Sequence, residues 1–101
     1  MQAINQNDFP SFLADNKKAV VKFTAPWCGP CRALSPMLEK ASQEFSHISF
    51  VEVNVDENPA LAAQFNVRGI PTMVGFSEGN PEWVKVGLPS PDDLRKTLSS
   101  L

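Results

Sequence analysis

The chain has 101 residues, a net charge of −2 and a hydrophobic fraction of 43%. That length suits a single domain, residues 1–101, around one core, and the composition is that of a soluble globular protein. The charge balance shows no basic footprint for nucleic acid, and the interspersed acids and bases exclude a charged tail. The N-terminal stretch Met1–Asp8 lacks a basic segment followed by an apolar one, so no secretory signal is expected. No apolar run approaches membrane-spanning length. The expectation is a cytoplasmic monomer with no nucleic-acid or membrane partner.

Met1 to Gln6 suits a short edge strand. Asn7 is a candidate N-cap for a short helix whose Phe9, Phe12 and Leu13 share a face, with Pro10 in the first turn. Ala19 to Thr24 is nearly all apolar and suits a strand buried on both faces. A second helix is expected from Cys31 to Phe45, because Leu34, Met37, Leu38, Ala41 and Phe45 fall on one face. Pro36 lies inside it and should bend it. Ile48 to Val55 is the next strand.

Asn58 and Pro59 have the N-cap and first-position chemistry of a third helix, with Leu61, Ala62 and Phe65 as its stripe. Thr72 to Phe76 and Trp83 to Val86 are strands around a Gly79-Asn80 turn. Pro81 removes a ladder donor and marks the second of them as an edge. Ser90, followed by Pro91, Asp92 and Asp93, starts a last helix with Leu94, Leu98 and Leu101 inward. The order βαβαβαββα implies an α/β fold. Its first three strands run parallel and the hairpin adds antiparallel strands.

Both cysteines sit in Trp27-Cys28-Gly29-Pro30-Cys31, between a strand and a helix. At a helix N-terminus the backbone N–H groups and dipole favour a thiolate, the form that attacks disulfides. Cys28 is the candidate nucleophile, and Cys31, one turn further in, is close enough to close a disulfide onto it. Gly29 allows the tight turn and Pro30 starts the helix. A metal site would need more ligands than two cysteines and the sole histidine, His47, so no metal is expected. Inert thiols would leave the helix-start position and the Trp27 neighbour unexplained.

Trp27-Cys28-Gly29-Pro30-Cys31 resembles the active site of the thioredoxin family, and Arg68-Gly69-Ile70-Pro71-Thr72 resembles that family's cis-proline loop. Phe23, Pro36, Asp56, Asn58-Pro59, Gly79 and Gly87 extend the resemblance over nearly the whole chain. It implies a thioredoxin fold, with a central mixed five-stranded sheet flanked by four helices. It also implies a dithiol–disulfide oxidoreductase that reduces protein disulfides and takes electrons from a thioredoxin reductase using NADPH and flavin. The resemblance further implies that no cofactor is bound beyond a redox-active Cys28–Cys31 disulfide. Cys28 would form a mixed disulfide and Cys31 resolve it. In this family the Gly-Pro pair goes with reductants.

Pro71 has an ordinary reading as a trans proline leading into a strand. The resemblance implies a cis bond facing the cysteines, with the Ile70 backbone free to pair with an extended substrate. Trp27, Gly69, Ile70, Pro71, Gly87 and Leu88 would then form an apolar substrate-docking apron; the competing reading puts Ile70 and Leu88 in the core. Two charges depart from the family pattern. Lys22 stands where a buried acid is usual, and Glu52 where a lysine is usual. Each interrupts an apolar strand, and the two are expected to pair beneath the active site. Glu52 would relay the Cys31 proton while Lys22 adds positive potential. A different class of function, an adaptor whose apron docks a larger protein with redox chemistry incidental, is separated by the Cys28→Ser, Cys31→Ser double variant.

Overall fold

The strand Lys18–Thr24 carries the molecule's centre because its residues can be buried on either side: Ala19, Val20, Val21, Lys22 and Phe23 are all buried. In the computed structural model, which describes Met1 to Leu101, it is the second of five strands. In chain order the elements are β1 (Gln2–Ala3), α1 (Phe9–Asp15), β2 (Lys18–Thr24), α2 (Gly29–Glu44), β3 (Ser49–Asn54), α3 (Pro59–Gln64), β4 (Thr72–Ser77), β5 (Asn80–Val86) and α4 (Pro91–Ser99). The strands form one sheet in the order β1-β3-β2-β4-β5. β3 runs parallel to both β1 and β2, β4 antiparallel to β2, and β5 antiparallel to β4. This is the five-stranded mixed sheet with four helices that the element order implied.

Successive strand residues point to opposite faces, and the two cores follow that alternation. Ala19, Val21 and Phe23 of β2 join Val51, Val53, Phe9, Leu61 and Phe76 on one face. There the rings of Phe9, Phe65 and Phe76 meet edge to face, the arrangement that ring quadrupoles favour. Val20 joins Leu34 and Leu38 of α2 and Leu94 and Leu98 of α4 on the other face. Lys22, two residues from Val20, shares that second face and lies beneath α2.

Several boundaries differ from the sequence expectation for local physical reasons. α2 begins at Gly29 rather than Cys31, since Pro30 suits the first turn and Cys28 takes the cap position. α1 is preceded by Asp8 rather than Asn7, and no side chain caps it. Instead the Asn5 carboxamide oxygen accepts from the N–H groups of Asn7 and Asp8. Asn58 precedes α3 as expected but makes no cap bond; its carboxamide bridges Gln6 N–H and the Asn54 carbonyl. Ser90 does cap α4, accepting from Asp93 N–H at 3.2 Å.

The hairpin turn is Glu78-Gly79 and not Gly79-Asn80, because Asn80 is already paired with Ser77. Both turn residues have positive φ, 51° and 82°, as a two-residue turn matched to strand twist requires. Pro81 lies inside the edge strand β5, next to a register shift opposite Gly75 and Phe76, where its missing N–H is tolerated. Gly75 has its own constraint. A side chain there would stand 2.3 Å from the Trp83 ring, which covers this position.

Candidate active site

β2 ends at Thr24 and delivers the chain to the cysteine loop. Cys28 N–H donates to the Ala25 carbonyl at 3.2 Å, and Arg32 closes the loop from the helix side through its guanidinium and the Pro26 carbonyl, 2.6 Å apart. Cys28 then sits at the N-cap of α2. Its sulfur accepts from Cys31 N–H at 3.1 Å. Cys28 and Cys31 are joined in a disulfide with Cα atoms 5.3 Å apart. Cys31 is fully buried, and Cys28 is the slightly more accessible of the pair.

The residues named from sequence for docking differ in burial, and one of them packs directly against the disulfide. Ile70 packs against Ala25, Cys28 and Cys31 and is half-buried. The Ile70–Pro71 peptide is cis. Pro71 itself is buried, so it is not part of the exposed surface expected from sequence. Thr72 Oγ1 donates to the Gly69 carbonyl and Gly87 N–H donates to the Pro71 carbonyl at 2.8 Å, which ties the 69–72 loop and the Gly87 segment into one rim. Gly87 has φ +91°, a conformation open to glycine and costly for other residues. Trp27 and Leu88 are 67% and 48% exposed, which sets aside the core reading for Leu88; Gly69 is exposed. The N–H and carbonyl of Ile70 make no hydrogen bond within the chain.

Two contributors to the rim were not assigned a place there from sequence. Asp56 Oδ2 accepts from the Trp27 indole N–H at 2.9 Å and steers that exposed ring; nothing in local sequence joins positions so far apart. Val86, 71% exposed, stands beside Gly69 and widens the apron. Its place as the last residue of an edge strand was the available signal.

The inner side of the disulfide is polar. Lys22 and Glu52 are register partners on β2 and β3, and Lys22 Nζ lies 3.6 Å from Glu52 Oε2. Lys22 Nζ also donates to Ser35 Oγ at 2.6 Å, and Ser35 Oγ donates to the Cys31 carbonyl at 3.3 Å. Lys22 is 1% exposed, whereas the Glu52 side chain is 30% exposed. Burial pushes the Lys22 ammonium below its ordinary value, and Glu52 opposes that shift. A cleft of about 320 Å³ reaches this group, lined by Lys22, Cys31, Ser35 and Glu52, with Arg32 and Glu57 also on its wall. No hydrogen bond joins Glu52 to either cysteine, so the expected pair is present but is connected to Cys31 through Lys22 and Ser35. Ser35 was not singled out from sequence.

A groove of similar size, about 330 Å³, lies between α2 and α4 around Met37, Phe45 and Leu94. It holds neither cysteine and is bridged by an Arg95–Glu44 ion pair.

The thioredoxin family model matches residues 1–100. The chain is 35% identical over 99 residues to a thioredoxin of Chlamydia trachomatis, covering 98% of this chain and 96% of that protein. It is 41% identical over 87 residues to thioredoxin 1 of Synechococcus elongatus, covering 85% and 81%. The oxidised form of mitochondrial thioredoxin 3 from Saccharomyces cerevisiae superposes with a TM-score of 0.92 at 32% identity, over 100% of this chain and 95% of that one. That family carries its electrons on a CxxC disulfide without a bound cofactor and works between a reductase and its substrates. A strand–loop–helix that sets such a pair at a helix cap, matched along its whole length, places this chain in the thioredoxin family as a disulfide oxidoreductase whose redox pair is Cys28–Cys31.

Proposed function

We propose that this chain, as a single domain spanning residues 1–101, reduces disulfides of protein substrates, with Cys28 as nucleophile and Cys31 as resolving thiol. The observation that carries this assignment is the N-cap placement of Cys28. Its sulfur already accepts the Cys31 N–H, a contact that would equally stabilise a thiolate. In the reduced protein the Cys28 thiolate attacks one sulfur of the substrate disulfide. The other sulfur leaves as a thiolate and takes a proton. Cys31 then loses its proton and attacks Cys28 Sγ, which expels the second substrate thiolate and closes the Cys28–Cys31 disulfide. Two electrons have passed to the substrate. A thioredoxin reductase drawing on NADPH through flavin returns them.

Docking falls to Trp27, Gly69, Ile70, Gly87 and Leu88, with Pro71 buried next to Ile70. The unpaired N–H and carbonyl of Ile70 suit an extended substrate segment laid across the rim as an added strand. Lys22 and Glu52 support the second step from below. The protein acts as a monomer in the cytoplasm, without nucleic-acid or membrane partners; no helix is long and apolar enough to cross a membrane.

The test is reduction of a protein disulfide by dithiothreitol with and without the protein. Acceleration by the native chain and none by Cys28→Ser is the expected result. A Cys28→Ser protein that still accelerates the reaction would overturn the assignment.

A further inference from the structure

Lys22 is the one charged side chain within the buried core, at 1% exposure. A buried charge is retained at a cost unless partners satisfy it, and both partners here suit an ammonium. The Glu52 carboxylate faces Nζ across 3.6 Å as an ion-pair partner, and Ser35 Oγ has spent its own proton on the Cys31 carbonyl, so it is left to accept from Nζ. These contacts hold the cation beneath α2 at Ser35, one turn on from Cys31, and Cys31 lines the same cleft.

We propose that Lys22, held between Glu52 and Ser35, is a positioning residue that acidifies the Cys31 thiol and thereby sets the rate at which Cys31 attacks the mixed disulfide. A cation near a thiol favours the thiolate. The field is strong because Cys31 and Lys22 are both almost without solvent contact, where screening is weak. The remaining charges around the cleft are better solvated. Glu52 is 30% exposed on β3. Arg32 on α2 and Glu57 after β3 are exposed, and the Met1 ammonium is engaged by Glu39. From β4 the residue paired with Lys22 is the uncharged Met73. The proton that Cys31 gives up leaves through the open cleft to solvent, the Cys31 thiolate forms the bond to Cys28 Sγ, and the departing substrate thiolate takes up a proton, so charge and electrons balance.

The inference rests on the roles proposed for the two cysteines, and the two can fail separately. Cys28→Ser leaves Cys31 as the only thiol, whose ionisation is followed by ultraviolet absorbance of the thiolate across pH. In that background Lys22→Met should raise the pH of ionisation by about one unit, a tenfold loss of acidity. Should Lys22→Met not fold, Ser35→Ala decides the matter, since alanine is well tolerated in a helix; it should give a smaller rise. With both cysteines present, Lys22→Met should slow resolution of the mixed disulfide about tenfold at neutral pH, recovering at alkaline pH where the thiol ionises unaided. A merely structural defect would persist at every pH. Unchanged or increased acidity of Cys31 on loss of Lys22 overturns the proposal and leaves the nucleophile assignment standing; that assignment is tested separately, and falls if Cys28→Ser still accelerates disulfide reduction or Cys31→Ser traps no mixed disulfide.

Discussion

On one, outer side the Cys28–Cys31 disulfide meets Ile70, whose loop is tied to a rim that exposes apolar side chains; on the other, inner side it shares a cleft with Lys22, Ser35 and Glu52. The outer groups Ile70 and Leu88 are apolar and carry no charge. The inner groups are held by side-chain bonds, and one of them is a cation removed from water. An apolar rim governs which partner can sit over the sulfur, because it exchanges water for partner surface. A buried charge governs how readily the sulfur ionises, because its field is poorly screened. Substitutions outside should therefore act on substrate affinity, and substitutions inside on pH profiles and stability.

The largest effect comes from the sulfur atoms that divide the two sides. Cys28→Ser should abolish turnover of a protein disulfide, and Cys31→Ser should accumulate covalent complexes visible on non-reducing gels, since attack proceeds without resolution. Equal trapping by both single variants would exchange or dissolve the two roles.

Next comes the inner ion pair. Glu52→Gln leaves a buried ammonium with only Ser35, and should lower the unfolding free energy in urea by about 1–3 kcal/mol. That lies below the roughly 3–5 kcal/mol of a fully buried pair, because the Glu52 side chain is 30% exposed. A double-mutant cycle of Lys22→Met with Glu52→Gln should show coupling of about 0.5–3 kcal/mol. Near-zero coupling would mean the two charges are held independently.

A subtler inner effect follows from the Lys22 proton. Burial lowers its pKa from the ordinary 10.5. Below the lowered value both folded and unfolded chains carry the charge. Between that value and 10.5 the unfolded chain binds more protons than the folded one, so stability rises with pH across this window. Native protein minus Lys22→Met, both kept oxidised so that the cysteines do not titrate, should show this rise in urea unfolding. A flat difference across alkaline pH would mean that the ammonium is not desolvated.

The smallest effect belongs to the rim. Leu88→Ser, at a position 48% exposed, should change stability by no more than about 0.5 kcal/mol while raising KM for a protein substrate several-fold. An unchanged KM would remove Leu88 from the docking surface. A change in kcat at constant KM would blur the division between the two sides.

Element types were largely legible because each has a local cause. The period of Leu34, Leu38 and Ala41 made α2 visible, the alternation in β3 made a strand visible, and Ser90 announced the start of α4 through a cap that the structure contains. The hairpin was placed one residue late because Glu78 occupies a positive-φ position that asparagine or glycine usually takes. The cysteine loop was readable for the same local reason: a strand, a glycine and a proline leave few ways to start a helix.

What the amino-acid order determined by itself is therefore the βαβαβαββα series, the burial of β2 and the setting of Cys28 at a helix start. All of these depend on sterics and periodicity within a few residues. Only the tertiary structure decided that β3 lies between β1 and β2, that Asp56 holds Trp27, and that the Ile70–Pro71 loop closes on the cysteines. It also decided that Ser35 joins Lys22 to Cys31. The strand period put Lys22 on the α2 face, but the meeting with Ser35 depends on how one helix crosses the sheet. That crossing is set by the packing of Leu34 and Leu38 against Val20, a contact between residues that no local rule connects.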